Sequence, residues 1–358
     1  MDSLKKPGIL DRLNAGEVII CDGGCTHAFE RRGYVTAGAY TPEVVLEYPS
    51  AVTELHREFA LCGADLLEAF AFNGTDENLN RCRTNETKLV AKDVSDAGCK
   101  LVIEVAKEYG CLVAGPISPT DSFGKNMGKE KVQREFQAQV DVFKSQNMDL
   151  LIAEYFSYIE EAEWAVEVMK STGAPVAISL CIGPLGDCNG VSVEECGIRL
   201  AKTGADIIGT NCRFDPDMCL DTLIRMKKAV ENEGMKKHWI CQPLGYRTAD
   251  AGIRGFEDLP EAVLALESRL ISRWDAHKFA RRAYEAGVRF IGGCCGFEPY
   301  HIRAMAEELH KERGRLPKNS RGLYGSSLKH HHNPIVQERA NKEYWYNLIP
   351  SDGRKKLE

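Results

Sequence analysis

The sequence predicts an α/β fold, a (β/α)8 barrel of the TIM type followed by a C-terminal arm. Three observations support this prediction. Apolar runs typical of buried strands alternate with helix-forming segments, and the alternation reaches eight strands. The apolar runs are nearly continuous in Val, Ile, Leu and Ala, as expected for parallel strands that are buried on both faces. The alternation ends near residue 312, where the composition of the chain changes.

The predicted strands and helices follow one another at regular intervals. The strands cover residues 17–24, 64–72, 111–117, 149–156, 175–180, 205–212, 239–244 and 288–294. The helices cover residues 50–62, 94–109, 129–146, 159–171, 193–202, 216–231 and 274–285, and a last helix follows Pro299. Because the count reaches eight and no G-x-G-x-x-G follows the first strand, the pattern favours the barrel over a doubly wound open sheet.

The chain therefore divides into a barrel, residues 1–313, and an arm, residues 314–358. Residues 336–348 of the arm form an aromatic-rich segment with a helical pattern. A closed barrel does not need this segment, so we expect it to pack on another subunit. The expected assembly is a homodimer or homotetramer joined through the arm.

Composition limits the classes of function. The 358 residues are 44% apolar and 27% charged, with a net charge of −6, which argues against nucleic-acid or anionic-membrane binding. No apolar run is long enough to span a membrane, and residues 1–7 do not look like a signal peptide. The 14 cysteines are spread singly along most of the chain, so we expect most to be reduced and the location to be cytoplasmic.

Two adjacent cysteines, Cys294 and Cys295, follow a predicted strand and two glycines. Neighbouring cysteines are poorly placed to form a disulfide with each other, whereas both can bind one metal ion. A third thiol, Cys212, ends another strand in a similar context. Three thiolates leave one position open on zinc, as in catalytic sites. The alternatives are small buried hydrophobic residues and, less favoured without a Cys-x-x-Cys spacing, a redox pair.

A zinc ion bound by three thiolates carries a net charge of about −1, which is a poor environment for generating hydroxide. The same site suits a fourth thiolate from a thiol substrate. Zinc lowers the pKa of that thiol, and the accumulated negative charge keeps its sulfur nucleophilic. The residues themselves therefore suggest alkyl transfer to a thiol.

Polar residues at other strand ends suggest how a substrate could be bound. Glu154 follows an apolar run, and its carboxylate either pairs with a substrate ammonium or starts a helix. Asp22 and Gly23 form either a plain turn or a nest of N–H groups for a substrate carboxylate. Asn211 and Gln242 also fall at strand ends. Several aromatic residues near the strand ends are either core or part of a cage for a methyl-bearing cation: Phe29, Tyr40, Phe70, Phe72, Tyr155 and Phe297.

Six stretches together resemble the betaine–homocysteine S-methyltransferase branch of the homocysteine S-methyltransferase family. They are residues 22–24, 153–156, 181–184, 211–212, 242–244 and 292–304, of which Gly-Gly-Cys-Cys-Gly-Phe-Glu-Pro is the most specific. The segment at 342–345 resembles that family's dimerisation arm. The resemblance covers nearly the whole chain and implies a zinc-dependent barrel enzyme that makes methionine from homocysteine.

The resemblance also implies roles for individual residues. The zinc ligands would be Cys212, Cys294 and Cys295, with Tyr155 near the metal when no thiol is bound. Contacts to homocysteine would come from Asp22, Gly23 and Glu154, and we add Asn211 and Gln242 to this substrate site. The donor cage would be Tyr40, Phe72 and Tyr155. Two arm residues, His331 and Arg339, align with positions that support activity.

The chain departs from the betaine branch at three places. Tyr40 stands where that branch has Trp, Asn73 stands where it has Tyr, and Glu68-Ala69 replaces Gln-Thr. A second branch, which prefers S-methylmethionine, also lacks the tyrosine. The sequence predicts betaine as the donor, and a sulfonium donor, S-methylmethionine or dimethylsulfoniopropionate, is the alternative. Two further alternatives are a catalytically silent zinc-binding scaffold and a barrel hydrolase with structural cysteines.

Overall fold

The structure is a computed structural model that describes residues 7–38, 41–81, 83, 87–318 and 320–347. It confirms the predicted (β/α)8 barrel: eight parallel strands form one sheet in the order β1-β8-β7-β6-β5-β4-β3-β2. The strands are β1 (Ile19–Ile20), β2 (Leu66–Glu68), β3 (Leu112–Ile117), β4 (Leu150–Phe156), β5 (Val176–Leu180), β6 (Ile207–Asn211), β7 (His238–Gln242) and β8 (Phe290–Ile291).

Helices connect the strands on the outside of the barrel, and further helices precede the first strand and follow the last one. Through the seventh strand they are α1 (Ile9–Asn14), α2 (Cys25–Arg31), α3 (Val44–Glu47), α4 (Pro49–Cys62), α5 (Asp76–Asn80), α6 (Ala91–Tyr109), α7 (Asp121–Gly124), α8 (Lys129–Ser145), α9 (Ile159–Lys170), α10 (Val193–Lys202) and α11 (Pro216–Asn232). The later ones are α12 (Arg273–Glu285), α13 (Pro299–Glu308), α14 (His310–Arg313), α15 (Pro334–Glu338) and α16 (Lys342–Asn347), with 3-10 helices at Phe256–Asp258, Leu266–Arg269 and Ser326–His330. Within the described ranges, no helix combines the length and apolarity that crossing a membrane requires.

The barrel closes between its first and second strands through a single parallel bridge, Cys21 with Leu66. Next to it, the Asp65 N–H donates a hydrogen bond to the Ile20 carbonyl oxygen over 2.6 Å. Closure brings the C-terminal end of β1 beside that of β2. As in other barrels of this type, the residues that follow the strands then share one face.

A short N-terminal helix, which the sequence analysis did not predict, packs on the core inside the barrel. Ile9 and Leu13 of α1 are buried in one cluster with side chains from the strands, among them Leu150, Ile207 and Phe290. A six-residue helix gives too few turns for an apolar period to be recognised. Its two apolar residues lie four positions apart, on one helix face.

Three predicted strands are shorter than the sequence indicated. The predictions for 17–24, 64–72 and 288–294 were wrong at their ends, because the strands keep only two or three residues each. The residues that follow each of these strands form loops at the C-terminal face of the barrel. Phe70 and Ala71 remain only 6% exposed there, so the apolar pattern of a strand continues into a buried loop.

The described part of the arm packs on the outer helices of its own barrel. The indole rings of Trp345 and Trp274 stack with centroids 5.9 Å apart and an interplanar angle of 7°. The Lys342 ammonium donates to both carboxylate oxygens of Glu308, each over 2.7 Å. The expected contact of the arm with another subunit stays a prediction.

Candidate active site

Three cysteine sulfur atoms meet at the C-terminal face of the barrel. Cys212 directly follows β6, and Cys294 and Cys295 lie in the loop after β8. Their Sγ atoms all lie within 4.8 Å of one another. The end of β7 runs between the two loops: the Cys212 N–H donates to the Gln242 carbonyl, and the Cys294 N–H donates to that of Pro243. The convergence expected from the sequence is therefore present.

Glycines let the surrounding loops approach the sulfur cluster. A Cβ atom on Gly24 would lie 2.5 Å from the Cys294 carbonyl oxygen and 2.7 Å from Cys295 Cα. A Cβ atom on Gly293 would lie 2.1 Å from the ring of Phe297. These separations are too short for non-bonded carbon atoms. The Gly-Gly pairs in the motifs thus permit the close packing that brings the thiols together.

The thiols differ in their tendency to ionise. Burial alone would raise the pKa of Cys212, but hydrogen bonds from Cys294 and Cys295 outweigh it and hold the pKa of Cys212 well below its ordinary value. The same hydrogen bonds to Cys212 raise the pKa of Cys294 and of Cys295, so Cys212 has the strongest tendency of the three to ionise. A buried anion that attracts two further thiols is a site that favours a bound cation.

Strained backbone surrounds the cluster. Cys212 and Arg213 have φ angles of 47° and 51°, and Tyr155 on β4 has a φ of 68°. Side chains other than glycine rarely adopt this left-handed region, where each such residue costs on the order of 1–3 kcal/mol. Such strain is typical of functional sites, where the surrounding structure holds side chains in unusual directions.

A cavity of about 270 Å³ opens beside the sulfur atoms. Besides the exposed Asp121, three inner carboxyl groups line it: Asp22 after β1, Glu68 at the end of β2 and Glu154 on β4. Burial raises the pKa of Asp22 and Glu154 well above their ordinary values, and Glu68 raises both further. Within the described ranges none of the three makes an ion pair, and a positively charged ligand group would stabilise their ionised form.

The carboxyl groups belong to a network with one incomplete member. Asp22 accepts a hydrogen bond from the Glu68 N–H over 2.9 Å. Glu68 accepts one from Gln242 Nε2 over 2.7 Å and one from the Cys21 thiol over 3.3 Å. Gln242 Oε1 is buried and has no partner in the part of the chain that the structure describes. Asn211 is also buried and donates from Nδ2 to Glu154 over 3.4 Å.

Aromatic rings line the other part of the cavity. Phe72 and Tyr155 meet edge to face, with ring centroids 5.8 Å apart at an angle of 86°. The Tyr155 hydroxyl donates to Glu257 over 2.7 Å, and burial raises the pKa of Tyr155 well above its ordinary value. Asn73 lines the same space, beside Phe72.

The structure brings together most, but not all, of the predicted site residues. Cavity-lining positions include Asp22, Gly23, Phe72, Glu154, Tyr155, Gln242, Cys294 and Cys295, with Cys212 and Asn211 directly behind them. Tyr40 lies outside the described residues. His331 and Arg339 do not line the cavity of the single chain. In the arm, the His331 ring accepts from the Asn333 N–H, and Arg339 lies over the ring of Tyr344.

Three residues of the site were missed. Cys21 donates a hydrogen bond to Glu68 and so belongs to the acidic network. Glu257 accepts hydrogen bonds from the Tyr155 hydroxyl and from Arg213, on the side of Tyr155 that faces away from the cavity. Arg213 directly follows Cys212, so its position next to a predicted ligand was a usable signal. Nothing in the long loop after β7 distinguished Glu257 from other surface acids.

A family model for homocysteine S-methyltransferases matches residues 19–309. The chain belongs to the homocysteine S-methyltransferase family. The protein is therefore a methyltransferase with a (β/α)8 barrel.

Relatives within the family are similar over nearly the whole chain. The chain is 52% identical to betaine–homocysteine S-methyltransferase 1 from Danio rerio over 351 residues, 98% of this chain and 88% of that protein. It is 50% identical to the protein of the same name from Bos taurus, with 98% and 86% covered. It is also 48% identical to an S-methylmethionine–homocysteine S-methyltransferase from Pongo abelii, with 98% and 94% covered.

Solved structures of the family share the barrel. The metallated form of the homocysteine methyltransferase MmuM from Escherichia coli superposes with a TM-score of 0.61 at 18% identity, covering 82% of this chain and 96% of that one. The oxidised form gives the same TM-score at 19% identity and the same coverage. At this level of identity the similarity concerns the fold.

Proposed function

We propose that this protein transfers a methyl group from betaine to the sulfur of homocysteine, forming methionine and dimethylglycine, with one zinc ion per chain. The observation that carries the proposal is the cavity itself. Three thiols lie at one side of it, the carboxyl groups of Asp22, Glu68 and Glu154 line another, and aromatic rings that include Phe72 and Tyr155 line a third. Family membership and relatives of about 50% identity support the same reaction.

The donor set fits zinc. Two sulfur atoms on one tetrahedral zinc ion lie about 3.8 Å apart when each Zn–S bond is about 2.3 Å. Separations within 4.8 Å need only small side-chain adjustments to reach that value. Cys212, Cys294 and Cys295 would hold the ion and leave one position open. Bound there, zinc would take up the homocysteine sulfur as a thiolate and keep it nucleophilic.

The acidic side of the cavity would bind the amino-acid part of homocysteine. Asp22 and Glu154 would pair with its ammonium group, and Gln242 Oε1 would gain the hydrogen-bond partner that it lacks. Asn211 donates to Glu154 and would keep its carboxylate turned toward the ligand. The N–H of Gly23 would bind the homocysteine carboxylate. These contacts would orient the sulfur for attack, and orientation can supply much of the rate.

The aromatic side would hold the donor. Phe72 and Tyr155 offer ring faces to the methyl groups of a quaternary ammonium. The homocysteine sulfur attacks one methyl carbon, the C–N bond breaks, and its electron pair stays on nitrogen. Dimethylglycine leaves with a neutral amine, so the reaction needs no general acid.

A sulfonium donor is the second candidate, and Asn73 is the observation that favours it. The residue lines the cavity beside Phe72 but has no aromatic ring. A relative named for S-methylmethionine is 48% identical to this chain. The test is a comparison of betaine, S-methylmethionine and dimethylsulfoniopropionate with the zinc-loaded protein, measuring methionine. If either sulfonium compound gives faster turnover than betaine, that compound is the donor. If no donor yields methionine, the proposal is overturned.

We further propose that the arm, residues 314–358, joins subunits into a homodimer or homotetramer. Three of its apolar side chains, Leu323, Leu328 and Ile335, are 42% to 52% exposed in the single chain. Large apolar side chains that are exposed on one short segment are typical of an interface. In that assembly His331 and Arg339 would support activity. Sedimentation of the full chain and of a chain ending at residue 313 tests the role of the arm.

A further inference from the structure

Tyr155 contacts an ion pair, Arg213 with Glu257, whose members do not line the cavity. Its hydroxyl donates to Glu257 Oε1 over 2.7 Å, and Arg213 Nη2 donates to the same oxygen over 2.8 Å. The guanidinium carbon of Arg213 lies 5.0 Å from the centroid of the Tyr155 ring. Arg213 is 8% exposed, so water screens its charge poorly. One face of the ring is thus in contact with a cation.

The main chain fixes this arrangement. The Arg213 carbonyl accepts a hydrogen bond from the Phe256 N–H over 2.9 Å, and Phe256 begins the short helix that carries Glu257. Before it, Gly255 has a φ of 61°, and a Cβ atom there would lie 2.2 Å from the Arg213 carbonyl oxygen. The loop after β7 therefore packs directly against the main chain of Arg213, the residue that follows Cys212. Tyr155, Arg213 and Glu257 behave as one unit beside the sulfur cluster.

We propose that Arg213 and Glu257 are positioning residues for the methyl donor: they fix the Tyr155 ring as a cavity wall and leave no net charge behind it. This inference rests on the proposed function, in which the donor carries a positive charge. An aromatic ring attracts a cation through its negative face. An uncompensated guanidinium behind the ring would repel that cation, and the Glu257 carboxylate cancels the repulsion.

The substitution Glu257→Gln tests the charge alone. The amide oxygen still accepts hydrogen bonds from Tyr155 and Arg213, while the negative charge is lost. A unit charge about 10 Å from the donor, at an effective dielectric constant of about 20, weakens donor binding roughly tenfold. We expect the Kd for betaine to rise by about that factor, with the Kd for homocysteine changing less than about threefold. Calorimetric titration of the zinc-loaded protein measures both without turnover.

A second variant separates charge from folding. Glu257→Gln combined with Arg213→Met removes both charges, and the Kd for betaine is expected to return to within about threefold of the unaltered protein. Equal weakening of betaine and homocysteine in the single variant would overturn the inference, as would a double variant that binds betaine more weakly than the single one. Methionine formation by the unaltered protein is scored separately. Its absence would overturn the proposed function, while the binding data still decide the role of the pair.

Discussion

The side-chain amide nitrogen of Gln242 donates a hydrogen bond to Glu68 over 2.7 Å, while its amide oxygen is buried without a partner among the described residues. Leaving a buried acceptor unpaired costs about 1–3 kcal/mol. A donor on the ligand, such as the ammonium group of an amino acid, would remove that cost. The Gln242 amide therefore connects the hydrogen-bond network of the cavity wall with the ligand proposed for it.

The first prediction concerns the acid side of the pH profile for homocysteine binding. Burial raises the pKa of both Asp22 and Glu154, and the nearby Glu68 carboxylate raises both further. Glu68→Gln removes the charge and keeps an oxygen that accepts from Gln242. The pKa values of Asp22 and Glu154 then fall, so their carboxylates stay ionised to lower pH. We expect homocysteine affinity in the variant to be lost at a lower pH than in the unaltered protein, measured by titration between pH 5 and 8. An unchanged profile would separate Glu68 from the amino-acid site.

The second prediction concerns the metal. Cys294→Ala removes one of the three converging sulfur atoms, and zinc rarely stays bound in such a site with only two protein ligands. We expect zinc content to fall from about one per chain to near zero and methionine formation to be lost. Cys196→Ala is the control, because Cys196 is a buried free cysteine that lies on α10, outside the sulfur cluster. It should keep its zinc. Metal analysis of Cys294→Ala that still finds about one zinc per chain would support structural cysteines instead.

The third prediction concerns the donor. Asn73→Tyr adds a ring beside Phe72 and should lower the KM for betaine, because a further π face contacts the quaternary ammonium. Asn73 has a φ of 56°, a conformation that Asn tolerates better than Tyr, so we also expect a stability loss of about 1 kcal/mol. Asn73→Leu is the control, since it adds apolar bulk without a ring. Equal KM values in the Tyr and Leu variants would contradict a role for the ring.

Local patterns predicted much of the molecule, and contacts distant in sequence explain what they missed. The adjacent Cys294 and Cys295 are recognisable from sequence because they follow two glycines. The predicted barrel places Cys212 at the end of a strand, on the same face as that pair. In contrast, the hydrogen bond from Tyr155 to Glu257 joins residues 102 positions apart. No spacing rule identifies such a partner, because the loop after β7 reaches Tyr155 only once the barrel has formed.

The fourth prediction concerns stability and pH. Glu161 on α9 is buried and accepts hydrogen bonds from the N–H and hydroxyl of Thr120, which lines the cavity. Burial outweighs these bonds and raises the pKa of Glu161 from 4.5 to about 7. A carboxyl group with a raised pKa in the folded state contributes stability that is complete below pH 4.5 and is lost as pH rises through about 7. The loss is on the order of 3 kcal/mol.

Glu161→Gln removes this titration and keeps an oxygen that accepts from Thr120. We expect the variant to gain stability relative to the unaltered protein as pH rises from 5 to 8, measured as the free energy of unfolding in urea. Glu160→Gln is the control, because its carboxylate is exposed on the same helix. A constant difference between the Glu161 variant and the unaltered protein across this range would exclude an ionised, buried Glu161 at pH 8.

The last prediction concerns the arm. Trp345 stacks on Trp274 of α12, and Lys342 on the same short helix pairs with the buried carboxylate of Glu308. Burial opposes ionisation of Glu308, but hydrogen bonds from His277, Lys342 and Arg281 outweigh it and lower its pKa to about 2. The salt bridge therefore persists at neutral pH. A six-residue helix has little stability by itself, so docking decides whether the arm stays folded.

Trp345→Ala removes the stacked ring, whose aromatic contact and burial contribute about 1–3 kcal/mol. Because about 1.4 kcal/mol corresponds to a tenfold change in the released fraction, trypsin should cleave the arm roughly ten times faster or more. The thermal midpoint of the barrel should not change. Glu343→Ala, an exposed position on the same helix, is the matched control and should leave cleavage unaffected. If the Trp345 variant also dissociates into single chains, the packing of the arm on α12 is required for its proposed contact with a second subunit.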